Sequence, residues 1–358
     1  MRKGHDMETT NHFIMLKGHV ARTIAFLVIL TTNMPFIYGQ ETYHGAVQGN
    51  FAVSPTGAAT YTVPIDVPPG INGMQPQLTI AYNSQSGMGL AGWGCNLAGY
   101  SAITRRPKDK FHDGVARGMR YREDDAYYLD GKRLVLSSGT EGMPGCIYNP
   151  EGDPYTTVKV MGTYTVASDN RSFEVRTPDG LITTYGNTPG TRQDFEINDT
   201  SRIAAWYVHT IKDTLNNVVE WYYSKDSYYV YPVQVIYGSC SIEFSYETIG
   251  SAARPFKLMS VTGIMNKRLT EITCKYSSTT ERRYILAYDT TSDGTEVKSP
   301  RLTQIEVKDG ANESLKPLEL QWIFLPSWQE NVTQISLPTE QPRPHVYNIM
   351  GKNTLVVI

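Results

Sequence analysis

Residues 59–82 read ATYTVPIDVPPGINGMQPQLTIAY, and this stretch decides the fold class. Ala59–Ile65 and Gln77–Tyr82 alternate apolar and polar side chains, with the two-residue period of a half-buried strand. Between them, Pro68-Pro69-Gly70 and Asn72-Gly73 are residue types that favour turns. The stretch therefore predicts a strand, a turn and a second strand.

The same pattern continues along the chain. Asp-Gly pairs, which favour the tight turns of antiparallel hairpins, begin at Asp113, Asp130, Asp179, Asp293 and Asp309. Short runs rich in Val, Ile, Thr and Tyr are Thr156–Val160, Ser172–Arg176, Leu181–Tyr185, Val218–Tyr223, Ser241–Tyr246 and Arg283–Tyr288. None keeps a 3.6-residue period, and a short helical turn is expected only near Arg202–Trp206. The expected fold is all-β, with extended antiparallel sheets built from hairpins.

Composition narrows the function classes. Of 358 residues, 40% are hydrophobic and 19% are charged, which is enough apolar material for a sizeable core. The formal net charge is −2, so no basic excess indicates nucleic acid or an anionic membrane as a partner. Tyrosine is abundant, with 24 residues against 10 Phe and 5 Trp, and tyrosine suits pleated, half-exposed sheets.

The N-terminus predicts an export signal over residues 1–39. Lys17 and Arg22 precede a short apolar run, Ile24–Leu30, and Gly39 offers a small residue at a cleavage edge. The run is shorter than the roughly 20 residues that a membrane-spanning helix needs. The first 14 residues are polar, so Met15 is an alternative start. An uncleaved membrane anchor and a buried strand are the competing interpretations.

Four cysteines, Cys95, Cys146, Cys240 and Cys274, allow three disulfide pairings in an exported chain. Cys240 and Cys274 lie in strand-like runs and could pair across a sheet. Free buried thiols are the equal alternative. The sequence leaves the pairing open.

The sequence contains few motifs that indicate chemistry. Gly87, Gly89 and Gly92 match G-x-G-x-x-G, but the residues that follow form a poor helix, so a glycine-dense turn packed around Trp93 is expected instead of a nucleotide site. The histidines show no metal-binding spacing. No G-x-S-x-G motif occurs, and Ser54, Ser84 and Ser101 lie in turns where hydroxyls cap backbone groups.

Three strand glutamates, Glu174, Glu220 and Glu243, could converge as a glycosidase pair, but solvated side chains are the simpler interpretation. Arg105–Lys110 forms a basic cluster that is expected in a solvated loop, and Asp124-Asp125 is also expected at the surface. We therefore predict no catalytic, cofactor-binding or metal-binding residues.

Residues 49–107 read GNFAVSPTGAATYTVPIDVPPGINGMQPQLTIAYNSQSGMGLAGWGCNLAGYSAITRRP, which closely resembles the start of the Salmonella virulence plasmid B protein family (SpvB). Asp124–Leu136, Ala205–Tyr223 and Leu302–Trp322 also resemble that family. The same module opens the B components of insecticidal toxin complexes and many Rhs/YD-repeat proteins. The resemblance covers most of residues 45–325.

The resemblance implies a structural role. In toxin complexes the module is part of a β-sheet shell that, with Rhs repeats, encloses a toxic C-terminal domain. The ADP-ribosylation of actin that is associated with the plasmid B protein belongs to a separate domain with an E-x-E motif. No two glutamates of this chain lie two residues apart, so that motif is absent.

The leading hypothesis is therefore a secreted or surface-located, non-catalytic shell module of a toxin-complex or Rhs-type virulence protein, incomplete without downstream repeats. Its expected partners are other β-shell or Rhs-repeat segments or a toxin-complex protein, with no cofactor, nucleic acid or membrane span in the mature chain. The alternatives are a β module that binds glycans or proteins at a cell surface, and a glycosidase-like hydrolase. The expected organisation is a signal over 1–39, SpvB-like regions over 40–200 and 201–325, and an unassigned tail over 326–358.

Overall fold

The structure is a computed structural model that describes residues 45–289 and 300–322, together with the backbone of two strands at 344–349 and 352–357. A first compact unit ends at Leu320, and Gln321–Ile358 form a second unit. Strands make up most of the described residues, as the alternating sequence predicts. The expected all-β class is confirmed.

The chain first forms a four-stranded antiparallel sheet, here called the front sheet, in the order β1–β2–β3–β6. Its strands and the small hairpin before the last one are β1 (Asn50–Val53), β2 (Ala59–Ile65), β3 (Leu78–Asn83), β4 (Met88–Gly89), β5 (Gly92–Trp93) and β6 (Cys95–Ala98). A 3₁₀ turn, Ile71–Gly73, lies between β2 and β3. The strand, turn and strand predicted for residues 59–82 are confirmed, and β2 has the predicted bounds.

The glycine-dense segment is a turn, as predicted, because β4 and β5 pair as a hairpin and no helix follows. Gly92 has φ +98°, and a Cβ there would lie 2.8 Å from the Pro300 carbonyl oxygen. The expected packing around Trp93 is wrong. Trp93 is 41% exposed, whereas the neighbouring Leu90 and Ala91 are fully buried.

A closed eight-stranded barrel follows the front sheet. Its strands, with the short helix and the side strand that adjoin it, are β7 (Ala102–Arg106), α1 (Lys110–Asp113), β8 (Ala126–Leu129), β9 (Lys132–Ser138), β10 (Ile147–Pro150), β11 (Thr157–Met161), β12 (Ser172–Arg176), β13 (Ile182–Tyr185), β14 (Arg192–Ile197) and β15 (Thr200–Lys212). Strands β7 to β13 pair in sequence order, and β15 closes the barrel by pairing with β13 and with β7. Strand β14 pairs with β15 outside this circuit.

Strand β15 occupies the segment for which a helical turn was expected, so that expectation is wrong. Ile203 and Trp206 are fully buried, and Ala205 is nearly so. A strand that is covered on both faces does not alternate between apolar and polar residues, which removes the signal that identifies a strand in sequence.

From β15 the sheet continues into an open set of strands, here called the fan, in the order β16–β17–β18–β21–β22–β23–β24. Its strands and the separate hairpin between β18 and β21 are β16 (Val218–Asp226), β17 (Tyr229–Tyr237), β18 (Cys240–Thr248), β19 (Arg254–Leu258), β20 (Val261–Met265), β21 (Lys267–Tyr276), β22 (Thr279–Asp289), β23 (Arg301–Asp309) and β24 (Leu318–Glu319). Every strand pair in the fan is antiparallel, and most are hairpins, as the turn chemistry predicts.

The front sheet packs against the fan to form a two-layer sandwich. Val63, Ile80 and Leu97 of the front sheet share one buried cluster with Ile242 and Leu269 of the fan. Tyrosine hydroxyls join the layers at their edges. The Tyr284 hydroxyl accepts a hydrogen bond from the Asp66 amide at 2.8 Å, and the Tyr237 hydroxyl donates to the Pro68 carbonyl at 2.9 Å.

The Asp-Gly turns are mostly confirmed. Asp130 and Gly131 both adopt positive φ in the two-residue turn between β8 and β9. Asp179 lies in the turn after β12, and Asp309 is the last residue of β23, directly before a turn. Asp113 differs, because it ends α1 and Gly114 caps that helix with φ +68°. Asp293 lies outside the described residues.

In the second unit, β25 (Pro344–Ile349) and β26 (Lys352–Val357) form an antiparallel hairpin. The predicted signal over 1–39 lies outside the described residues. The predicted division after residue 200 falls beside the Asn198–Asp199 turn that joins β14 to β15, and it stays a prediction. Within the described part of the chain, none of the helices has both the length and the apolar character needed to span a membrane.

Candidate functional site

The barrel interior contains four charged side chains, here called the charged cluster: Arg105, Asp125, Asp169 and Arg171. Arg105 lies on β7, and Asp125 directly precedes β8. Asp169 and Arg171 lie just before β12. Each is at most 5% exposed, although charged residues are rarely buried to this extent unless they are paired. This is the densest group of buried charge in the described residues.

Asp169 is the centre of the charged cluster. Its two carboxylate oxygens accept from Arg171 in bidentate fashion, with Nε–Oδ1 at 2.8 Å and Nη2–Oδ2 at 2.6 Å. Arg105 donates to the same carboxylate through Nη2 at 2.9 Å. Two guanidinium groups therefore share one buried carboxylate. The bidentate contact with Arg171 suits the planar fork of donors that arginine presents.

The remaining donors of the two arginines bind backbone and tyrosine oxygens. Arg171 Nη1 donates to the Tyr127 hydroxyl at 2.6 Å and to the Gly142 carbonyl at 2.8 Å. Arg105 Nε donates to the Ile203 carbonyl at 2.6 Å, and its Nη1 lies 3.5 Å from Asp125. These contacts connect three separate parts of the barrel wall.

Aromatic rings surround the charged cluster. The Arg105 guanidinium lies 4.9 Å from the centroid of the Trp206 ring and 5.2 Å from that of Tyr127. The Trp206 indole donates to the Arg171 carbonyl at 2.7 Å, and Phe173 meets Trp206 edge-on. Side chains therefore fill the barrel interior around the charged cluster.

The pKa of Asp169 shows that the ion pairs outweigh burial. Burial alone would raise the pKa of this carboxyl, but the hydrogen bonds and positive charge of Arg171, with the charge of Arg105, hold it below its usual value. Burial raises the pKa of Tyr127. Asp169 is therefore ionised at neutral pH, and Tyr127 stays protonated and can act as a donor.

Two sequence interpretations are corrected here. Arg105 does not belong to a solvated basic loop, because it points into the barrel, while Lys108 pairs with Glu141 at 3.0 Å outside it. Asp125 is 1% exposed and accepts from the Arg120 and Arg122 amides. The alternation of β7 could have predicted that Arg105 is buried, because it shares one face of the strand with the apolar Ile103.

The structure does not bring the three strand glutamates together in a common contact. Glu174 binds Arg176 at 2.8 Å, and Glu243 binds Lys275 at 2.7 Å. Glu220 lies 3.2 Å from the His209 ring. Each carboxylate is therefore engaged by its own basic neighbour on a strand surface.

The predicted roles of the serines are confirmed for two of three. Ser54 and Ser84 accept hydrogen bonds from the Ala58 and Ala59 amides, both at 3.0 Å. The Ser101 hydroxyl instead contacts the side chains of Asp130 and Tyr185.

All four cysteines are free and buried. Cys240 and Cys274 lie on the paired strands β18 and β21, but Cys274 is opposite Ile242, so the two thiols are offset by two residues. Burial raises the pKa of Cys95 and of Cys274 to about 12, which keeps both thiols protonated and unreactive at neutral pH. Among the residues that the structure describes, no group of three or more His, Cys, Asp or Glu is arranged to hold a metal ion.

The chain resembles known proteins in both sequence and fold. The family described as Salmonella virulence plasmid 65kDa B protein matches residues 53–234. No curated protein matches the chain.

Solved structures share the fold. The crystal structure of TcdB2-TccC3 aligns with TM-score 0.60 and 16% identity over 78% of this chain and 17% of that chain. The Photorhabdus luminescens Tc holotoxin pore gives TM-score 0.59 and 18% identity over 78% and 16%. The N-terminal domain of effector protein SpvB from Salmonella typhimurium strain LT2 gives TM-score 0.53 and 14% identity over 69% and 98%.

This chain therefore covers about one sixth of the toxin-complex chain that it resembles, and nearly all of the SpvB N-terminal domain. The expected likeness to that module is confirmed. Because the family match spans half of the sequence, the protein belongs to the Salmonella virulence plasmid 65kDa B protein (SpvB) family.

Proposed function

We propose that this chain is a structural module, a wall segment of a larger assembly of the toxin-complex type, without catalytic activity of its own. The observation that carries the proposal is the recurrence of its fold as 17% of the much longer chain of TcdB2-TccC3. A fold that recurs as one part of a long chain suits a segment that continues into further β structure.

The interior chemistry supports the same role. The arginines of the charged cluster donate to carboxylates, to a tyrosine and to backbone carbonyls of the barrel itself. Buried polar networks in which the members satisfy one another make a structure rigid. A wall segment needs such rigidity.

Assembly is the first test. The purified chain is mixed in turn with each protein encoded beside its gene, and the mass of the product is measured by light scattering after gel filtration. We expect a stable complex with a protein that supplies Rhs-type or other β-shell segments. A chain that remains a monomer in every mixture contradicts the proposed assembly.

Catalysis is the second test. The purified chain is assayed for glycoside hydrolysis and for ADP-ribosyl transfer, with a variant carrying Glu174→Gln, Glu220→Gln and Glu243→Gln as the matched control. We expect no turnover from either protein. Turnover that the triple variant loses would establish an enzyme.

We also propose export through the N-terminal segment, supported by the apolar run Ile24–Leu30. Leu27→Arg places a charge in that run, and cell fractionation should then find the protein inside the cell. The matched variant Thr9→Arg, in the polar first 14 residues, should be exported normally. Retention of both variants or of neither would count against this signal.

A further inference from the structure

A surface cavity of about 370 Å³ lies at one end of the sandwich, where the front sheet meets the fan. Asp66–Pro69, which follow β2, form one wall, and Tyr276, Glu281 and Arg282 of the β21–β22 hairpin form the other. Its volume lies within the roughly 300–1,000 Å³ that small-molecule pockets occupy. The charged cluster of the barrel contributes nothing to it.

A β-bulge directs two adjacent charged residues into this cavity. Strand β22 pairs Thr280 with Lys275 and Arg282 with Cys274, so Glu281 is an extra residue without a partner on β21. Adjacent residues of a regular strand point to opposite faces, whereas a bulge changes the direction of one side chain. Because of the bulge, Glu281 and Arg282 both line the cavity.

The side chains of Asp66 and Arg282 and the carbonyls of the two prolines are already engaged. Arg282 forms an ion pair with Asp66 and a hydrogen bond with Tyr284. The Pro68 carbonyl accepts from the Tyr237 hydroxyl, and the Pro69 carbonyl lies 3.9 Å from the Cys240 sulfur. Neither proline has an amide hydrogen to offer a ligand.

Among the charged side chains that line the cavity, Glu281 is the exception. It is exposed, and within the described part of the chain its carboxylate has no hydrogen bond or ion pair. Since Asp66 and Arg282 neutralise each other, the charged residues of the cavity leave one net negative charge at Glu281. The Glu281 carboxylate is a hydrogen-bond acceptor, so it favours a ligand that carries donors.

The apolar walls specify the rest of the ligand. Pro68 and Pro69 present aliphatic rings, and Tyr276, which is 52% exposed, presents an aromatic ring. A cation near an aromatic ring is attracted by the negative face of the ring. A long side chain with an apolar stem and a cationic head fits both features.

We propose that this cavity binds the cationic side chain of an arginine or lysine from a partner polypeptide. The stem lies against Pro68 and Pro69, the cation lies near Tyr276, and Glu281 accepts its hydrogen bonds. The proposal concerns recognition of a basic segment and goes beyond the proposed wall role, because it requires neither a shell nor a particular assembly.

The test uses the purified full chain and nuclear magnetic resonance titration. The probes are Nα-acetyl-arginine methylamide, the uncharged citrulline analogue of the same shape, and methyl glucoside. We expect saturable shifts around Tyr276 and Glu281 with the arginine probe alone. High ionic strength should weaken its binding, because the cavity is open to solvent.

Two variants locate the site. Glu281→Gln keeps the shape and removes the charge, and it should weaken arginine binding about tenfold or more, the size of one charge-assisted hydrogen bond. Tyr276→Leu should weaken it about two- to fivefold through loss of the cation–π attraction. Glu196→Gln, on the distant strand β14, is the matched control and should change nothing.

Some outcomes would overturn the proposal. These are equal binding of the citrulline probe, preference for methyl glucoside, no saturable shift with any probe, or unchanged affinity in Glu281→Gln. Because Glu281 is exposed and without partners, its replacement should leave the fold intact, and an unchanged thermal transition of the variant confirms that the comparison is valid.

Discussion

The barrel and the sandwich are built from the same antiparallel strands, but they fill their interiors differently. Both interiors contain buried apolar side chains, such as Val158 in the barrel and Ile242 in the sandwich, but the barrel also encloses paired charges around Asp169. In the sandwich, the hydroxyls of Tyr284 and Tyr237 bind backbone groups of the facing layer. The barrel therefore adds a few directional ionic contacts to the non-directional apolar packing that both parts share.

The largest expected loss of stability comes from removing the central carboxylate of the barrel. Asp169→Ala leaves Arg105 and Arg171 buried without their shared carboxylate, and breaking a buried pair in this way costs about 3–5 kcal/mol. Urea denaturation should show the loss as a lower midpoint. Glu174→Ala, which removes an exposed ion pair of the same barrel, should cost about 1 kcal/mol or less. Equal losses from the two variants would contradict the central role of Asp169.

The stabilisation by Asp169 should also depend on pH. The pKa of Asp169 is lower in the folded chain than its ordinary value of 3.8, so its contribution to stability is complete above about pH 4 and disappears as the pH falls through the folded pKa. The stability difference between the wild type and Asp169→Ala should therefore narrow in strong acid. Denaturation curves at neutral and acidic pH test this, and a constant difference would argue against ionised Asp169.

The second largest effect breaks the sandwich. Ile242 is fully buried, and Ile242→Ala should cost about 2–5 kcal/mol through lost burial and the cavity left behind. Unlike the Asp169 variant, its deficit should not change with pH, because no charge is involved. Val218→Ala, at a residue on β16 that is 38% exposed, is the matched control and should change stability far less.

A smaller effect concerns the tyrosines that join the two layers. Tyr284→Phe leaves the Asp66 amide without its acceptor and should cost about 1 kcal/mol in denaturation experiments. Tyr155→Phe removes a hydroxyl from a side chain that is 78% exposed and should be neutral. A neutral Tyr284→Phe would show that the hydroxyl adds nothing to the contact between the layers.

The smallest effect compares turns. The barrel turn between β8 and β9 uses Asp130-Gly131, whereas the fan turn between β21 and β22 places Ser277 and Ser278 at positive φ, 45° and 71°. Glycine adopts such angles without steric cost, so Ser278→Gly should raise the free energy of unfolding by up to about 1 kcal/mol. Ser241→Gly, in the regularly paired part of strand β18, should lower it by roughly 0.5–1 kcal/mol. Thermal denaturation of the pair distinguishes relief of strain from a general effect of glycine.

The strands could be predicted from sequence because their signals are local. Ala59–Ile65 and Ser172–Arg176 alternate, and both are strands with those bounds. Barrel closure could not be predicted, because it rests on pairs such as Tyr185 with Val208, which no short pattern encodes. The charged cluster was missed for a related reason. A run of basic residues predicts a solvent-exposed loop. Only the fold shows that Arg105 pairs with the buried carboxylate of Asp169.

Strand β15 also determines when the barrel can fold. It pairs with β7, β13, β14 and β16, and one of those pairs joins Thr104 to Ala205. Contacts between residues so distant in sequence slow folding, because a long loop must be ordered before they form. The barrel therefore cannot close until the ribosome has delivered β15, and the segment before it emerges as an open sheet. Until then β7 and β13, the two strands that β15 joins, have edge backbone groups without their final hydrogen-bond partners.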